Sequence, residues 1–457
     1  MLRILSPVFI SGVLGWLTLR VFFRPEGLWV RAAFYLALGI PVGAGLFGLF
    51  AFLTFLFVRP GTGAILVAFC VPAALAGCLW WLQAAGRLFR PCSLAGPTAQ
   101  CGPILTIIAI LSFGTCLAAG LMLATYFLAY PHGMWDAHAV WNARARVMFR
   151  APDFWRDVFR SDHFHPDYPL TLSFLVFTGW AELGRETQVV PFAVATVFPL
   201  ASAATAAVGL TVWKSLSWGL VAACLILCSI GYVGLAGAQY ADVPLSALLV
   251  ASVVLFTLAY RNGRVNPPAL AAAGMAAGLC GWIKNEGTPV VVGFTLGLLV
   301  ACLLLHGKRE CVRQIGWFWL GAAPVVALLG YYRSFAPPDA LLQAATSAGI
   351  QEKLLDAHRW TTIAKRYAEE SWRAPGTIAP LLLCILFVWL IAGIRVEPAL
   401  RLPLISGFTA LAGIAVSHIA AFLASPYDLT WLLNTAAYRL VLEVMPSFVF
   451  LALRKNW

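Results

Sequence analysis

Apolar residues run along this chain in blocks of about twenty, the length of helix that crosses about 30 Å of hydrocarbon. Short stretches that hold most of the charge separate them. The blocks predict thirteen spans, near residues 4–23, 29–57, 62–84, 104–129, 187–213, 216–236, 241–260, 267–283, 286–305, 314–333, 376–394, 403–424 and 436–453. Block 29–57 is long for one crossing, and predicts a tilt or a break near Gly39-Ile40-Pro41. Block 169–184 is apolar but short. It reads as a helix lying on or dipping into the interface rather than as a crossing. The first block is kept as a span, because only Arg3 precedes it and no small-x-small cleavage site stands before Arg20.

The loops between blocks carry the orientation. Arg20, Arg24 and Arg31 share one loop and Arg87 and Arg90 another; Lys214, Arg261, Arg264, Lys308, Arg309, Arg313, Arg395, Arg401, Arg454 and Lys455 complete the set. If 169–184 does not cross, all of these fall on one side. The alternate short loops hold Arg59, Lys284 and little else. The excess of Lys and Arg in short loops marks the cytoplasmic side. The long loops 131–168 and 334–375 then face outward, and the C-terminus is cytoplasmic.

Composition agrees with a lipid solvent. Of 457 residues, 61% are apolar and only 11% charged. The net charge of +12 is spread over span ends instead of one face, so it does not point to nucleic acid. The eleven cysteines lie in spans or near cytoplasmic loops (Cys92, Cys101, Cys311), and no C-x-x-C pattern appears. No disulfide framework is expected in the outer loops. The fold class expected is an all-α polytopic membrane protein.

Four outward places collect polar residues. The first is the loop that opens at Met134-Trp135-Asp136 and closes at His163-Phe164-His165-Pro166-Asp167-Tyr168-Pro169; between them lie His138, Asn142, Arg144, Arg146 and Asp162. The second is Gln239-Tyr240-Ala241-Asp242-Val243-Pro244, at the start of a span, where Pro and Asp suit the first turn of a helix. The third is the hairpin Lys284-Asn285-Glu286-Gly287, and the fourth runs from Ser425 through Asp428 and Trp431 to Arg439, about one turn inside the last span. An ionisable residue in or at the bilayer is costly and is a functional candidate by default.

Each has a plainer reading. Asp136 and Asp242 also fit helix caps. Lys284 and Glu286 also fit an interfacial pair reaching for the headgroups. Arg439 also fits an internal pair with Asp428 or Glu443. His163-x-His165 with Asp167 admits a metal, but the spacing is not that of a zinc protease, and Pro166 points to a rigid turn. The tryptophans, Trp135, Trp141, Trp155, Trp180, Trp282 and Trp431, fit an interfacial belt, with one or two available to stack on a sugar.

An acid in the first large outer loop, an H-P-x-Y-P turn at its end and a second acid two spans later resemble the GT-C glycosyltransferases, membrane enzymes that take sugar from a polyprenyl-phosphate carrier. Trp135-Asp136-Ala137 looks like the acid of their first outer loop. His165-Pro166-Asp167-Tyr168-Pro169 looks like the closing motif of the family-39 and lipopolysaccharide-core branches. Tyr240-Ala241-Asp242-Val243-Pro244 matches the second acidic position, without a doubled acid. Asp428-Leu429-x-Trp431 with Arg439 is similar to a motif of bacterial members. The match covers roughly 104–333, and three spans precede the usual first helix.

The resemblance implies a GT-C-like bundle of about thirteen transmembrane helices, with interfacial helices in the first outer loop. It divides the chain into extra N-terminal helices (1–103), a catalytic core (104–333) that includes loop 131–168, and an outer loop with C-terminal helices (334–457). It implies a bacterial inner-membrane enzyme, acting on the outer face, that transfers sugar from a polyprenyl-phosphate-linked donor to a glycan, lipid or protein acceptor. Asp136 would be the general base of an inverting transfer, and Asp242 would orient the acceptor or Asp136. Arg439 and Lys284, then Arg144 and Arg146, would hold the phosphate. Glu286, His163, His165, Tyr168, Asp428 and Trp431 would complete the substrate site. No metal or other cofactor is expected, with a divalent ion at His163, His165 and Asp167 as the alternative. Two other classes and one enzyme alternative stay open, and of these a structural or assembly membrane protein would tolerate loss of any single acid. A lipid flippase or transporter would need paired interrupted helices, which are not evident. An O-antigen polymerase or ligase would use a late outer loop rich in arginine, as Arg359, Arg366 and Arg373 provide.

Overall fold

A computed structural model describes residues 3–94, 102–160, 164–261, 264–337, 347–373, 383, 385–386, 398–425 and 427–454. The described chain is mostly helical, and its two three-residue strands, Phe23–Pro25 and Cys92–Leu94, pair in parallel. In chain order the helices are α1 (Ser6–Phe22), α2 (Leu28–Phe55), α3 (Thr62–Ala84), α4 (Pro103–Ala129), α5 (Asn142–Arg150), α6 (Thr171–Leu183), α7 (Val189–Trp213), α8 (Leu216–Leu227) and α9 (Ile230–Gly237). There follow α10 (Asp242–Leu258), α11 (Pro267–Ile283), α12 (Pro289–Leu305), α13 (Lys308–Arg333), α14 (Ser347–Leu355), α15 (Ala357–Arg373), α16 (Pro398–Ala424) and α17 (Leu429–Leu453).

Eight of the described helices are long and apolar enough to cross a membrane, or nine if the bent pair α8 and α9 counts as one span. Three more predicted spans, α1, α10 and α11, are helices of 17 residues each. The predicted span 376–394 lies almost wholly outside the described residues. The count of thirteen is thus an expectation that the helices meet only in part.

The structure adds detail at three of the predicted blocks. α2 runs unbroken through Gly39-Ile40-Pro41, with Pro41 inside the helix. The predicted span 216–236 is broken: α8 and α9 meet at 65°. The cause is local, since Ser229 takes an extended conformation and its side chain accepts the backbone N–H of Tyr232, starting a new helix. The segment 169–184 is packed within the protein. It forms α6, whose residues Thr171 to Trp180 are buried by protein. At 13 residues it reaches only about 20 Å.

Inside a bilayer, helix contacts rest on close packing rather than on water release. α1 and α2 illustrate this. A Cβ added at Gly15 would stand 1.9 Å from the Gly39 carbonyl oxygen, and one at Gly43 would stand 1.8 Å from that of Ser11. The glycines let the two backbones touch. α10 and α11 sit at the centre, with Val243 to Ala259 of α10 and its C-cap essentially inaccessible. By contrast most of α4 is exposed, as expected of a helix facing lipid.

Loop 131–168 is largely helical. It carries a π-helical turn Ala137–Trp141, then α5, then a 3₁₀ segment Pro152–Phe159. It is pinned to the turn that follows α9 by Met134 N–H donating to the Ala238 carbonyl at 3.0 Å, and by Asn142 Nδ2 donating to Gln239 Oε1 at 3.1 Å. These contacts carry the start of the loop onto the N-terminus of α10.

Candidate functional site

Two acids that are 106 positions apart in sequence meet at one arginine. Asp136 stands at the head of the π-helical turn, and Asp242 is the first residue of α10. Arg439 is in the third turn of α17. Its Nη2 donates to Asp136 Oδ2 at 2.6 Å and to Asp242 Oδ2 at 2.8 Å. The guanidinium lies 4.3 Å above the Tyr240 ring. Asp242 is 1% exposed, whereas the Asp136 side chain keeps 24% of its surface.

A second cation stands on the other oxygen of Asp242. Lys284 Nζ, beyond the end of α11, is 3.1 Å from Asp242 Oδ1, 3.0 Å from Glu286 Oε1 and 3.6 Å from Glu443 Oε2. The Glu443 carboxylate, fully buried in α17, also faces His418 Nε2 of α16 at 3.5 Å. Four carboxylates therefore surround two side-chain cations and one histidine. Each buried ion costs several kcal/mol to desolvate. A cluster of this kind gives little net stability, and needs another reason to exist.

The cluster opens into a cavity of about 800 Å³. Asp136, Asp242, Lys284, Glu286, His418 and Arg439 all line it. Its remaining wall is largely aromatic, with Trp135, Trp141, Phe164, Tyr168, Tyr240 and Trp431 among the lining residues. Tyr168 stacks between Trp141 (5.5 Å, 7°) and His165 (4.8 Å, 12°). Its hydroxyl donates to Glu286 Oε1 at 3.0 Å. Burial, with the neighbouring Glu286 carboxylate next, holds the Tyr168 phenol well above its ordinary range, so it stays a donor.

The turn that presents Tyr168 is built from backbone-directed bonds. Arg144 is 1% exposed, and donates from Nη1 to the Tyr168 carbonyl at 2.8 Å and from Nη2 to the Phe164 carbonyl at 3.2 Å. The Tyr332 hydroxyl donates to the same Tyr168 carbonyl at 2.7 Å. Asn285 Nδ2 donates to Asp167 Oδ2, and Arg333 Nη2 donates to Asn285 Oδ1 at 2.6 Å. These bonds lock the turn to the Lys284 hairpin. Burial lowers the pKa of Arg144 against the pull of Tyr332, Asp167 and Tyr168. His165 and Gln239, the two described non-glycine residues with positive φ (48° and 61°), both border this site. Strained backbone of this kind concentrates where function needs it.

Eight sequence candidates thus line one cavity: Asp136, His165, Tyr168, Asp242, Lys284, Glu286, Trp431 and Arg439. The others part from it. Arg144 holds the turn from beneath. Arg146 pairs with Glu186 at 3.6 Å and lies over the Trp180 ring. Asp428 caps α17, accepting the Trp431 N–H at 2.8 Å. Arg439 pairs with neither Asp428 nor Glu443. His163 and Asp162 lie outside the described residues, and among the described residues no three His, Cys, Asp or Glu side chains form a group fit for a metal. Of the late-loop arginines, Arg359 donates to the Phe422 carbonyl at 2.5 Å and Arg366 to Glu370 at 2.8 Å; neither lines the cavity.

His418 was not singled out from sequence, and Glu443 only as a partner for Arg439. Both sit inside blocks read for their apolar run. An acid in the middle of the last span was the signal available for Glu443. Set beside known proteins, the chain matches no family model, no curated protein and no solved structure.

Proposed function

We propose that this protein is a membrane glycosyltransferase of the GT-C kind, transferring sugar from a polyprenyl-phosphate-linked donor to an acceptor at the outer face. The observation that carries the reading is the meeting of Asp136 and Asp242 at Arg439 on the wall of an aromatic-lined cavity of about 800 Å³. Ligand cavities commonly have this size and this mix of apolar wall with a few converging polar groups.

In this reading Asp136 is the general base. Arg439 occupies its Oδ2. Oδ1 accepts the proton of an acceptor hydroxyl or amine. The acceptor atom forms a bond to the anomeric carbon as the bond from that carbon to the phosphate oxygen breaks. The electron pair leaves with the phosphate, and the configuration inverts. Asp242 fixes Arg439 and Lys284, and through Arg439 the position of Asp136. A guanidinium has five N–H donors in a planar fork. Two go to the acids from Nη2, Nε is buried, and the two on Nη1 are not used by the protein among the described residues. Arg439 thus keeps donors for the leaving phosphate, where charge grows during transfer. Lys284 is the second candidate, although three carboxylates already share its charge. Trp135, Trp141 and Trp431 suit the apolar faces of a sugar or the first units of a lipid chain. The chemistry assigned to this chain's residues uses no cofactor.

The test is Asp136→Asn, which keeps the size of the side chain and removes the proton acceptor. Membrane insertion and thermal stability are expected to stay close to wild type. Sugar transfer from a polyprenyl-phosphate donor is expected to fall by roughly 10²–10⁴-fold, the range of general base catalysis. Undiminished transfer would reduce Asp136 to a partner of Arg439.

A further inference from the structure

We infer that Arg439 is a resident cation, doing between Asp136 and Asp242 what a divalent metal ion would do. A hard divalent cation is held where carboxylate oxygens from separate elements converge on one point. Here the point is occupied by a nitrogen, Arg439 Nη2, with one oxygen of each acid at 2.6 and 2.8 Å. The acids come from loop 131–168 and from α10, and the arginine from α17, so one cation ties together three separate elements. The Tyr240 ring covers one face of the guanidinium at 4.3 Å. The side chain is only 15% exposed and enters from within a span. An arginine is charged at any working pH and needs no loading. Its two N–H bonds fix the spacing of the acids as metal ligation would, and Lys284 serves the far oxygen of Asp242 in the same manner at 3.1 Å.

Two consequences follow. The intact protein has no vacancy for a divalent ion between these acids. Removing the guanidinium leaves two carboxylates facing each other in a poorly solvated place, which is a site for one.

The inference rests on the geometry of the pair and not on the sugar-transfer reading. Its test uses Mn²⁺ alone, with no sugar substrate, so either can fail without the other. The full chain, wild type and Arg439→Ala, is purified in detergent with and without Mn²⁺. Bound Mn²⁺ is read by electron paramagnetic resonance and thermal unfolding by fluorescence. Wild type is expected to bind no Mn²⁺ that Asp136→Asn abolishes, and to unfold at the same temperature with or without it. Arg439→Ala is expected to bind Mn²⁺ stoichiometrically and to unfold at a higher temperature in its presence. Both effects are expected to vanish in the double variant Asp136→Asn, Arg439→Ala. Arg439→Gln, which keeps more of the contact with Tyr240, should repeat the result. The inference is overturned if wild type binds Mn²⁺ through Asp136. It is equally overturned if the folded single variants bind none, or if they stay unfolded even when purified with Mn²⁺.

Discussion

Arg439 is the residue on which the site turns, and its geometry separates two kinds of interaction. Lysine would supply the same charge as a single point, whereas the guanidinium supplies directed bonds to two acids at once and retains others. Arg439→Lys is therefore expected to keep the fold, to weaken the tie between Asp136 and Asp242, and to lower transfer in part. Arg439→Ala is expected to lower it further, with the loss concentrated in the dependence on donor concentration. The measurement is transfer rate against polyprenyl-phosphate-sugar concentration in detergent or liposomes. If both variants keep the wild-type donor dependence, the phosphate is held elsewhere, and Lys284 becomes the residue to vary. Asp242 differs from Asp136 in kind: at 1% exposure, with a cation on each oxygen, it is saturated by the protein itself. That suits a positioning role and leaves the more exposed Asp136 as the group that meets a ligand.

At the scale of elements, the turn His165–Tyr168 shows how an irregular segment is held in place. No regular ladder satisfies its carbonyls, so buried side chains do: Arg144 from α5 and Tyr332 from α13. A hydrogen bond from a charged group is worth about 1.5–3 kcal/mol when its loss strands a buried partner. Arg144→Met, which keeps most of the volume, is expected to destabilise the protein by about that much per bond lost. It is also expected to free Tyr168 from its place between Trp141 and His165. Thermal unfolding measures the first effect, and tryptophan fluorescence of Trp141 against a Trp141→Phe background measures the second. An unchanged unfolding temperature would show that the turn is held without Arg144. The break between α8 and α9 matters for the same reason. A straight span through Ser229 would not return Ala238 and Gln239 to loop 131–168, where they bind Met134 and Asn142.

At the scale of the molecule, contacts join loops that charge counting had placed on the same side. Arg59, from a short loop read as outer, pairs at 2.6 Å with Asp153 of loop 131–168, also read as outer. Strand Phe23–Pro25 pairs with Cys92–Leu94, both read as cytoplasmic. Lys214 Nζ donates to the Leu453 carbonyl at 2.6 Å, again joining two segments read as cytoplasmic. Each of these contacts joins segments that the short-loop charges place on one side. Labelling of single introduced cysteines from outside is expected to reach positions near Asp153 and Glu352 and to miss positions near Arg264 and Arg309. External labelling at Arg264 would reverse the orientation, and with it the side on which the cavity opens.

The sequence by itself determined what composition and period can determine. Blocks of apolar residues long enough to satisfy their own backbone inside lipid become helices wherever they stand. An acid or arginine at the edge of such a block stands out because its burial is costly. Asp136, Asp242, Lys284 and Arg439 were legible on that ground alone. Only the tertiary structure decided who meets whom. The Arg439–Asp136 bond joins residues 303 positions apart, and no local pattern encodes it. Local geometry, by contrast, took Asp428 for a cap, and burial took Arg144 for a turn. His418 and Glu443 were hidden inside apolar runs, where hydropathy averages a single polar residue away. The same averaging hid the 65° break at Ser229, since a kink changes direction without changing composition. Hydropathy reports the solvent each residue prefers. Which side chains share that solvent depends on how the helices pack, and glycine contacts such as Gly15 on Gly39 set that packing one backbone approach at a time.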